Sequence, residues 1–522
     1  MTLIELRSAH ATQSALGAAL LSLPGRARDA ASLDLLLALV VMKIATEAAD
    51  ERMRAVSASP GNSLVPARGP RALRVPTAAR FDQLARAPLK GKVTRTMEAL
   101  RALVDANPED LSGTLNLEAL WTSPPSDAEM DALIARLRIP ALDFRALFGV
   151  ERPDLCEAVD ALLLDVGHRP HRAEAIEAST RLSRLLVALL DPAPNERIYD
   201  PLCQQGDLLV AAGRWVRSVH DTGAKLVAGE DPHAENARTA RLRLLLQNDD
   251  PRSVVQRDAL QVLAPRVALG EEDGGVDRVD VALCRPPLTL SWRNEGAGHD
   301  AFDRFHFGVA PRRRAHFALI QHMRSRLDPR HGRMAIVVPQ GVLFRRGEEA
   351  EIRTALLACN EVETVVSLPE RMVPGHAAAC AVLILRRQRR DTSILFVDAR
   401  QLPQDARSGA WMDTAVIDRV LDICHARTCV PGIAALVPGE QVIASGGCLS
   451  ASRHVPTVAE VRPVSNLASL RAERDTLTGQ LLSMQRELDA EIDALADALQ
   501  PGTQAGCDIV EDAMLPDRSR RC

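Results

Sequence analysis

The sequence predicts an α/β protein: a mostly parallel sheet of seven strands, preceded by an all-α region and followed by a helical arm. Three observations carry this reading. Before residue 190, apolar residues recur at three- and four-residue steps, with no alternating strand pattern. From Arg197 onward, short β-rich runs alternate with amphipathic segments. Near the end of the chain, leucines return at heptad-like spacing.

The helical region is read over 1–190. Leu33, Leu36, Leu37, Val40 and Ile44 mark one helix, and the pattern resumes over 81–107 and 127–147. Between them, Ser57–Pro76 carries four prolines and two glycines and reads as a loop. The runs RIYD (197–200), KLVAGED (225–231), SVVQRD (253–258), DVALC (280–284), RMAIVVP (333–339), VETVVSLP (362–369) and AACAVLILR (378–386) supply the seven strands. SILFVDAR (393–400) either adds an edge strand or begins the next unit. Strand–helix alternation at this spacing argues for a parallel sheet covered on both faces, assigned to 191–400.

The region 401–500 ends in the arm. Leu470, Leu477, Leu481, Met484, Leu488, Ile492, Leu495 and Leu499 form an apolar seam flanked by acids and arginines, and a coiled-coil contact is the expectation. Residues 501–522 read as a loose tail. Hydrophobic residues make up 46% and charged residues 25%, a soluble globular balance. The most apolar stretch, Leu33–Met42, is too short to span a bilayer. With no secretory pattern either, a cytoplasmic location is expected. The ten cysteines lack a paired framework, Cys424 and Cys429 have no second pair at zinc-site distance, and no metal is expected. A net charge of −4 means that any nucleic-acid contact needs a local basic face. The Arg-rich span 301–350 is the candidate, against the plain reading of a solvated surface in a chain whose bases are almost all Arg.

Two stretches carry chemistry. In Ile198–Gly213 an acid ends a strand, and a turn, a glycine and a helix follow, which is how a doubly wound sheet offers its crevice to a nucleotide-like ligand. Glycine serves where backbone and ligand approach closely. Acids also end the next two strands, at Glu230 and Asp258. The first suits ribose hydroxyls and the second an exocyclic amine; exposed strand-end acids without function are the plain alternative. In Asp280–Trp292 a Pro-Pro pair fixes a stiff turn at the mouth of the sheet.

The order Asp200-Pro201-x-Cys203-x-x-Gly206, Glu230, Asp258 and then Arg285-Pro286-Pro287-Leu288 resembles the gamma-type amino-methyltransferases. It is most similar to the adenine-specific modification subunits of type I restriction–modification systems. Residues 79–115, 302–323, 332–357 and 452–457 resemble further blocks of those subunits, in order. The resemblance implies a Rossmann-like methyltransferase sheet and S-adenosylmethionine as cofactor, with Asp200, Cys203, Gly206, Glu230 and Asp258 on the cofactor side. It implies double-stranded DNA as substrate, a specificity-type subunit docked through the C-terminal helix, and a nuclease subunit as a further partner.

The departures point the other way. The family's first block reads DP-x-C-G-(S/T)-G-G; here Gln204 and Gln205 replace the glycine and the hydroxyl residue, and Asp207 replaces the last glycine. The family's F-(F/Y)-T-P lead-in corresponds to about Glu177–Thr180. The family's (N/D)-P-P-(F/Y) has become Arg285-Pro286-Pro287-Leu288. In the family the Asn oxygen and the first proline's carbonyl accept from the adenine N6 amine, and the aromatic ring stacks on the flipped base. Arg has only donors, and Leu cannot stack as a ring does. The plain reading of Arg285 is a salt-bridging Arg, with Asp200 or Asp258 as its candidate partner. The expectation is a subunit impaired or inactive in methyl transfer, with cofactor binding weak or lost, acting in DNA and partner binding. The alternative is an active DNA adenine-N6 methyltransferase.

Overall fold

The computed structural model describes residues 16, 30–58, 73–118, 124–139, 142, 172–220, 226–247, 249–261, 278–295, 297–300, 302–370, 372, 378–402, 414–456 and 467–498. The expected tail at 501–522, and most of the expected loop at 57–76, lie outside these residues. Ahead of the sheet come α1 (Ala30–Ala58), α2 (Phe81–Arg86), α3 (Lys92–Ala106), α4 (Pro108–Leu111), α5 (Asp127–Arg136) and α6 (Arg172–Leu190), with no strand among the described residues there. In α1, Leu33, Leu35–Met42 and Ile44 are all buried, so it is a helix wrapped on every side rather than one with a single apolar stripe. A reciprocal cap starts α5: the Ser126 hydroxyl accepts from the Glu129 N–H, and the Glu129 carboxylate accepts from the Ser126 N–H.

The sheet region runs β1 (Arg197–Asp200), α7 (Asp207–His220), β2 (Leu226–Asp231), α8 (Ala234–Leu246), β3 (Val254–Gln256), β4 (Val281–Cys284), α9 (His316–Arg326), β5 (Arg333–Pro339), α10 (Glu348–Ala358), β6 (Val362–Ser367), β7 (Cys380–Arg386), β8 (Ser393–Asp398), α11 (Thr414–Ala426), β9 (Ala434–Pro438), α12 (Gly439–Ala444) and α13 (Ala451–His454). The nine strands lie in the order β3-β2-β1-β4-β5-β7-β6-β8-β9. The pairs β1–β2, β2–β3, β1–β4, β4–β5 and β6–β8 are parallel, whereas β5–β7, β6–β7 and β8–β9 are antiparallel.

Among the described residues the sheet has nine strands where seven were expected. The run at 393–400 joins the sheet as β8, and β9 was not anticipated. The reason is physical: β9 is a half-buried edge strand closed by Pro438, so it carries no clean alternation. Residues 227–231 are buried on both faces because helices cover the sheet on both sides. Ile198, Val227, Val281 and Leu283 face α6, α7 and α11, while Tyr199, Ala228, Ala282 and Cys284 face α9 and α10.

Helix α8 ties the helical region to the sheet. Its Leu242, Leu245 and Leu246 enter the core of α1, α3 and α5, and its Ala237, Ala240 and Leu244 pack toward the sheet. An ion pair between Arg238 and Asp34 (2.6 Å) crosses the same seam. Residues Met1–Thr457 accordingly form one compact unit. The second unit, Val458–Cys522, contains α14 (Leu467–Ala498). On α14, Leu477, Leu481, Met484 and Leu488 are 56–69% exposed, so these members of the expected seam stand in water. Among the described residues no helix is long and apolar enough to cross a membrane.

Candidate functional site

The strand order reverses at β1, which has β2 on one side and β4 on the other. The carboxyl ends of β1 and β4 therefore flank a switch point, where a doubly wound sheet opens its crevice. The turn Pro201–Gly206 and the turn Arg285–Leu288 face each other there.

Asp200 is 1% exposed, and its Oδ1 accepts the Leu202 N–H (3.0 Å). Burial pushes its carboxyl up to about 7, against a lowering by the Leu202 N–H and by Arg285. The Cys203 N–H donates to the Glu230 carbonyl (2.8 Å), locking the turn onto β2. Gly206 sits at φ +83, and a Cβ there would lie 3.0 Å from the Ala240 Cβ. A side chain there would collide with α8. Gln204 holds φ +49, a left-handed conformation where the resembling motif has glycine.

The altered residues form one connected unit. Gln204 Nε2 donates to the Arg285 carbonyl (2.8 Å), which ties the two turns together. The Arg285 guanidinium, 10% exposed, donates to Asp207 Oδ2 (2.6 Å). Asp207 Oδ1 accepts from Arg243 Nη1 (2.6 Å), and the same nitrogen donates to the Gln205 carbonyl (2.6 Å). Asp207 is thus a salt-bridge partner of Arg285, whose charge also acts on Asp200. Leu288 is 7% exposed and belongs to the core under α6 and α7. Pro286 is buried and Pro287 exposed. The Pro287 carbonyl accepts from His316 Nε2 (3.1 Å), and burial holds His316 down to about 4, so the ring is neutral at pH 7.

Glu230 is not brought to Asp200. Successive residues of β2 send side chains to opposite faces, and Glu230 takes the face of Tyr199. Both Glu230 oxygens are taken by Arg257, at 2.9 and 3.1 Å. The acid on the crevice side is its neighbour Asp231, which the sequence reading passed over. Asp231 Oδ2 accepts the Gln204 N–H (3.0 Å), and Oδ1 accepts from the His233 N–H (2.9 Å) and Asn236 Nδ2 (3.0 Å). Side-chain alternation is the signal that separates the two, once the end of β2 is known. Asp258 is half-buried, and its Oδ1 accepts the Leu260 N–H (3.0 Å).

The Arg-rich span is less basic outside than its count suggests. Arg304 pairs with Asp300, Arg324 with Glu361, Arg314 with Glu349 and Arg333 with Glu196, and Arg326 is buried. Arg312, Arg313, Arg330 and Arg346 remain exposed. Among the described residues no group of three or more His, Cys, Asp or Glu is placed to hold a metal ion. The described cysteines are free thiols.

Known proteins resemble this chain in sequence and in fold. The type I restriction enzyme MjaVII methylase subunit of Methanocaldococcus jannaschii is 26% identical over 290 residues, 53% of this chain and 48% of the relative. The EcoKI methylase subunit of Escherichia coli is 26% identical over 276 residues, 49% and 47% of the two chains. The chain spans about half the length of the curated relatives it matches. A type I restriction-modification methyltransferase subunit from Streptococcus thermophilus shares the fold, with TM-score 0.65 and 18% identity, over 86% of this chain and all of that one. A modification subunit of a putative type I restriction enzyme from Vibrio vulnificus gives 0.60 at 18% identity, over 86% and 98%. The family described as N-6 DNA Methylase matches residues 179–462, more than half of the sequence, and the chain belongs to that family.

Proposed function

We propose that this protein is a modification-type subunit of a type I restriction–modification or related defence complex that has lost methyl transfer and acts in binding DNA and partner subunits. One observation carries the reading: Gln204, Arg285, Asp207 and Arg243 are bonded to one another across the crevice. Three of these four residues are among the departures from the family motifs, and they complement each other chemically.

The residues present do not fit S-adenosylmethionine. The Gln204 side chain crosses from one turn to the other, where the family's glycine leaves room for the cofactor. Asp231 is fully buried with both oxygens engaged, and Glu230 is committed to Arg257. On the base side, Arg285 carries donors only and puts a fixed cation beside a centre that turns positive during transfer. Leu288 lies in the core, so it offers no stacking face. Losing one positioned electrostatic contact typically costs about two to three decades in rate, and here acceptor and ring are both gone.

Partner binding is supported by α14, whose exposed leucines form an apolar strip flanked by charge, the pattern of a helix that docks on another. The specificity-type subunit is the partner that the family resemblance implies. DNA contact is assigned to the exposed arginines of the 301–350 span, through phosphates.

The test is calorimetric titration with S-adenosylmethionine, together with transfer of a labelled methyl group to DNA in the presence of the specificity-type partner. No saturable binding and no transfer are expected. Low-micromolar binding, or turnover that disappears in Arg285→Ala, returns the protein to the active methyltransferases.

A further inference from the structure

The turn that follows β5 holds an aromatic ring in water on a fixed backbone. β4 and β5 are parallel neighbours, so this turn rises beside the Arg285–Leu288 turn, on the same rim of the sheet. Val342 and Leu343 are fully buried, and the next residue, Phe344, is 53% exposed. Arg353, 2% exposed, grips the chain on both sides of that ring: its Nη1 donates to the Val342 carbonyl (3.1 Å) and its Nη2 to the Arg345 carbonyl (3.1 Å). Its Nε donates to the Gly447 carbonyl (2.6 Å), which anchors the guanidinium. The Leu343 carbonyl accepts the Leu449 N–H (2.8 Å), and the Gly341 carbonyl accepts the Arg345 N–H (3.0 Å). With its backbone fixed in this way, the ring loses little further freedom when a ligand covers it.

Arginines gather at the same place. Buried Glu349 joins two segments: it accepts from Arg314 Nη1 (2.7 Å), and its other oxygen lies 3.8 Å from Arg345 Nη1. The exposed neighbours of those two arginines, Arg313 and Arg346, are thereby brought to one rim. Neither has an ion-pair partner among the described residues, whereas Arg312 faces Glu295 at 3.6 Å. Glu348 and Glu351 in the first turn of α10 are exposed and keep this rim from being a broad basic face. A single exposed phenylalanine is ordinary on a protein surface. A ring on a gripped turn, beside two unpaired guanidinium groups, suits one ligand chemistry better than others: a base, which always offers a π-face, and its neighbouring phosphates.

We propose that Phe344 is a stacking platform for an unpaired base in DNA, with Arg313 and Arg346 on the adjoining phosphates. This deepens the DNA-binding role and rests on it. It adds a preference for DNA whose stacking is already broken, as at a bulge. Neither cofactor nor methyl transfer enters, and the base is held outside the crevice that Gln204 crosses.

The test is fluorescence titration of the full chain with two duplexes of one sequence, one fully paired and one carrying a single unpaired 2-aminopurine. The wild type should prefer the bulged duplex about tenfold and quench its 2-aminopurine, as stacking on a ring does. Phe344→Ala and Phe344→Leu should abolish both effects, and Phe344→Trp should keep them. Arg346→Ala should weaken both duplexes alike and lower the slope of log affinity against log salt by about one. Equal affinity of the wild type for the two duplexes, or a preference that survives in Phe344→Ala or Phe344→Leu, would overturn the proposal and leave the DNA-binding role standing. Failure of the wild type to bind either duplex would overturn that role and the proposal together.

Discussion

Removing the Arg285 side chain measures whether the altered motif residues act as one unit. Its guanidinium is 10% exposed and Asp207 is 26% exposed, with 2.6 Å between the bonded atoms. Stranding one partner of a buried ion pair costs about 3–5 kcal/mol. In Arg285→Ala, however, Asp207 keeps Arg243 at 2.6 Å, so no carboxylate is left bare. The expected loss is then about 2 kcal/mol, the worth of a charge-assisted hydrogen bond. Asp207→Ala should cost more, about 3 kcal/mol, because two arginines lose an acceptor in a shielded place. The double variant should fall short of the sum by about 2 kcal/mol, since the second change removes a bond already gone. Urea unfolding followed by tryptophan fluorescence gives all three values. Additivity within about 0.5 kcal/mol, the mark of independent sites, would refute the unit and favour unrelated surface substitutions.

Further outcomes follow from the same geometry. Reverting Arg285→Asn and Leu288→Phe alone should give no methyl transfer, because Gln204 and Asp207 still close the cofactor side; binding in calorimetry should return only when Gln204→Gly and Asp207→Gly are added. Two buried groups should shape the pH dependence of stability in opposite senses. The folded Asp200 carboxyl is raised from 3.8 to about 7, so burying it stabilises least when it is ionised: its contribution falls as pH rises from about 4 through 7, by up to about 4 kcal/mol. Folded His316 is lowered from 6.5 to about 4, so its contribution is full above 6.5 and is lost as pH falls toward 4, by about 3 kcal/mol. The two slopes oppose each other between pH 4 and 6.5. Asp200→Asn should therefore make stability rise with pH in that window, and His316→Gln should make it fall; thermal scans at pH 4.5 and 6.5 check both signs. Deleting 467–498 should abolish co-purification with the specificity-type subunit and leave the melting of Met1–Thr457 unchanged, and a partner that still co-purifies would count against the docking role of α14.

The strands and the family were legible in the sequence because both rest on local signals. Runs such as RMAIVVP and CAVLILR are apolar and β-branched over strand length, and the motif blocks keep their order whatever they touch. The loss of the family's acceptor at Arg285 and of its ring at Leu288 was equally plain, since it follows from side-chain chemistry alone. The sequence did not determine which side chains meet. The edge strand β9 lacks alternation because it is only half covered, so nothing in Ala434–Pro438 announces it. Choosing between Glu230 and Asp231 requires the face of the sheet, which depends on the pairing of β2 with β1. Asp207 lies 78 residues from Arg285, and only the closure of the β1 and β4 turns over the switch point makes it that arginine's partner. Residue chemistry and short-range periodicity are properties of the chain, whereas a bond between distant side chains exists only where the folded backbone has brought the two together.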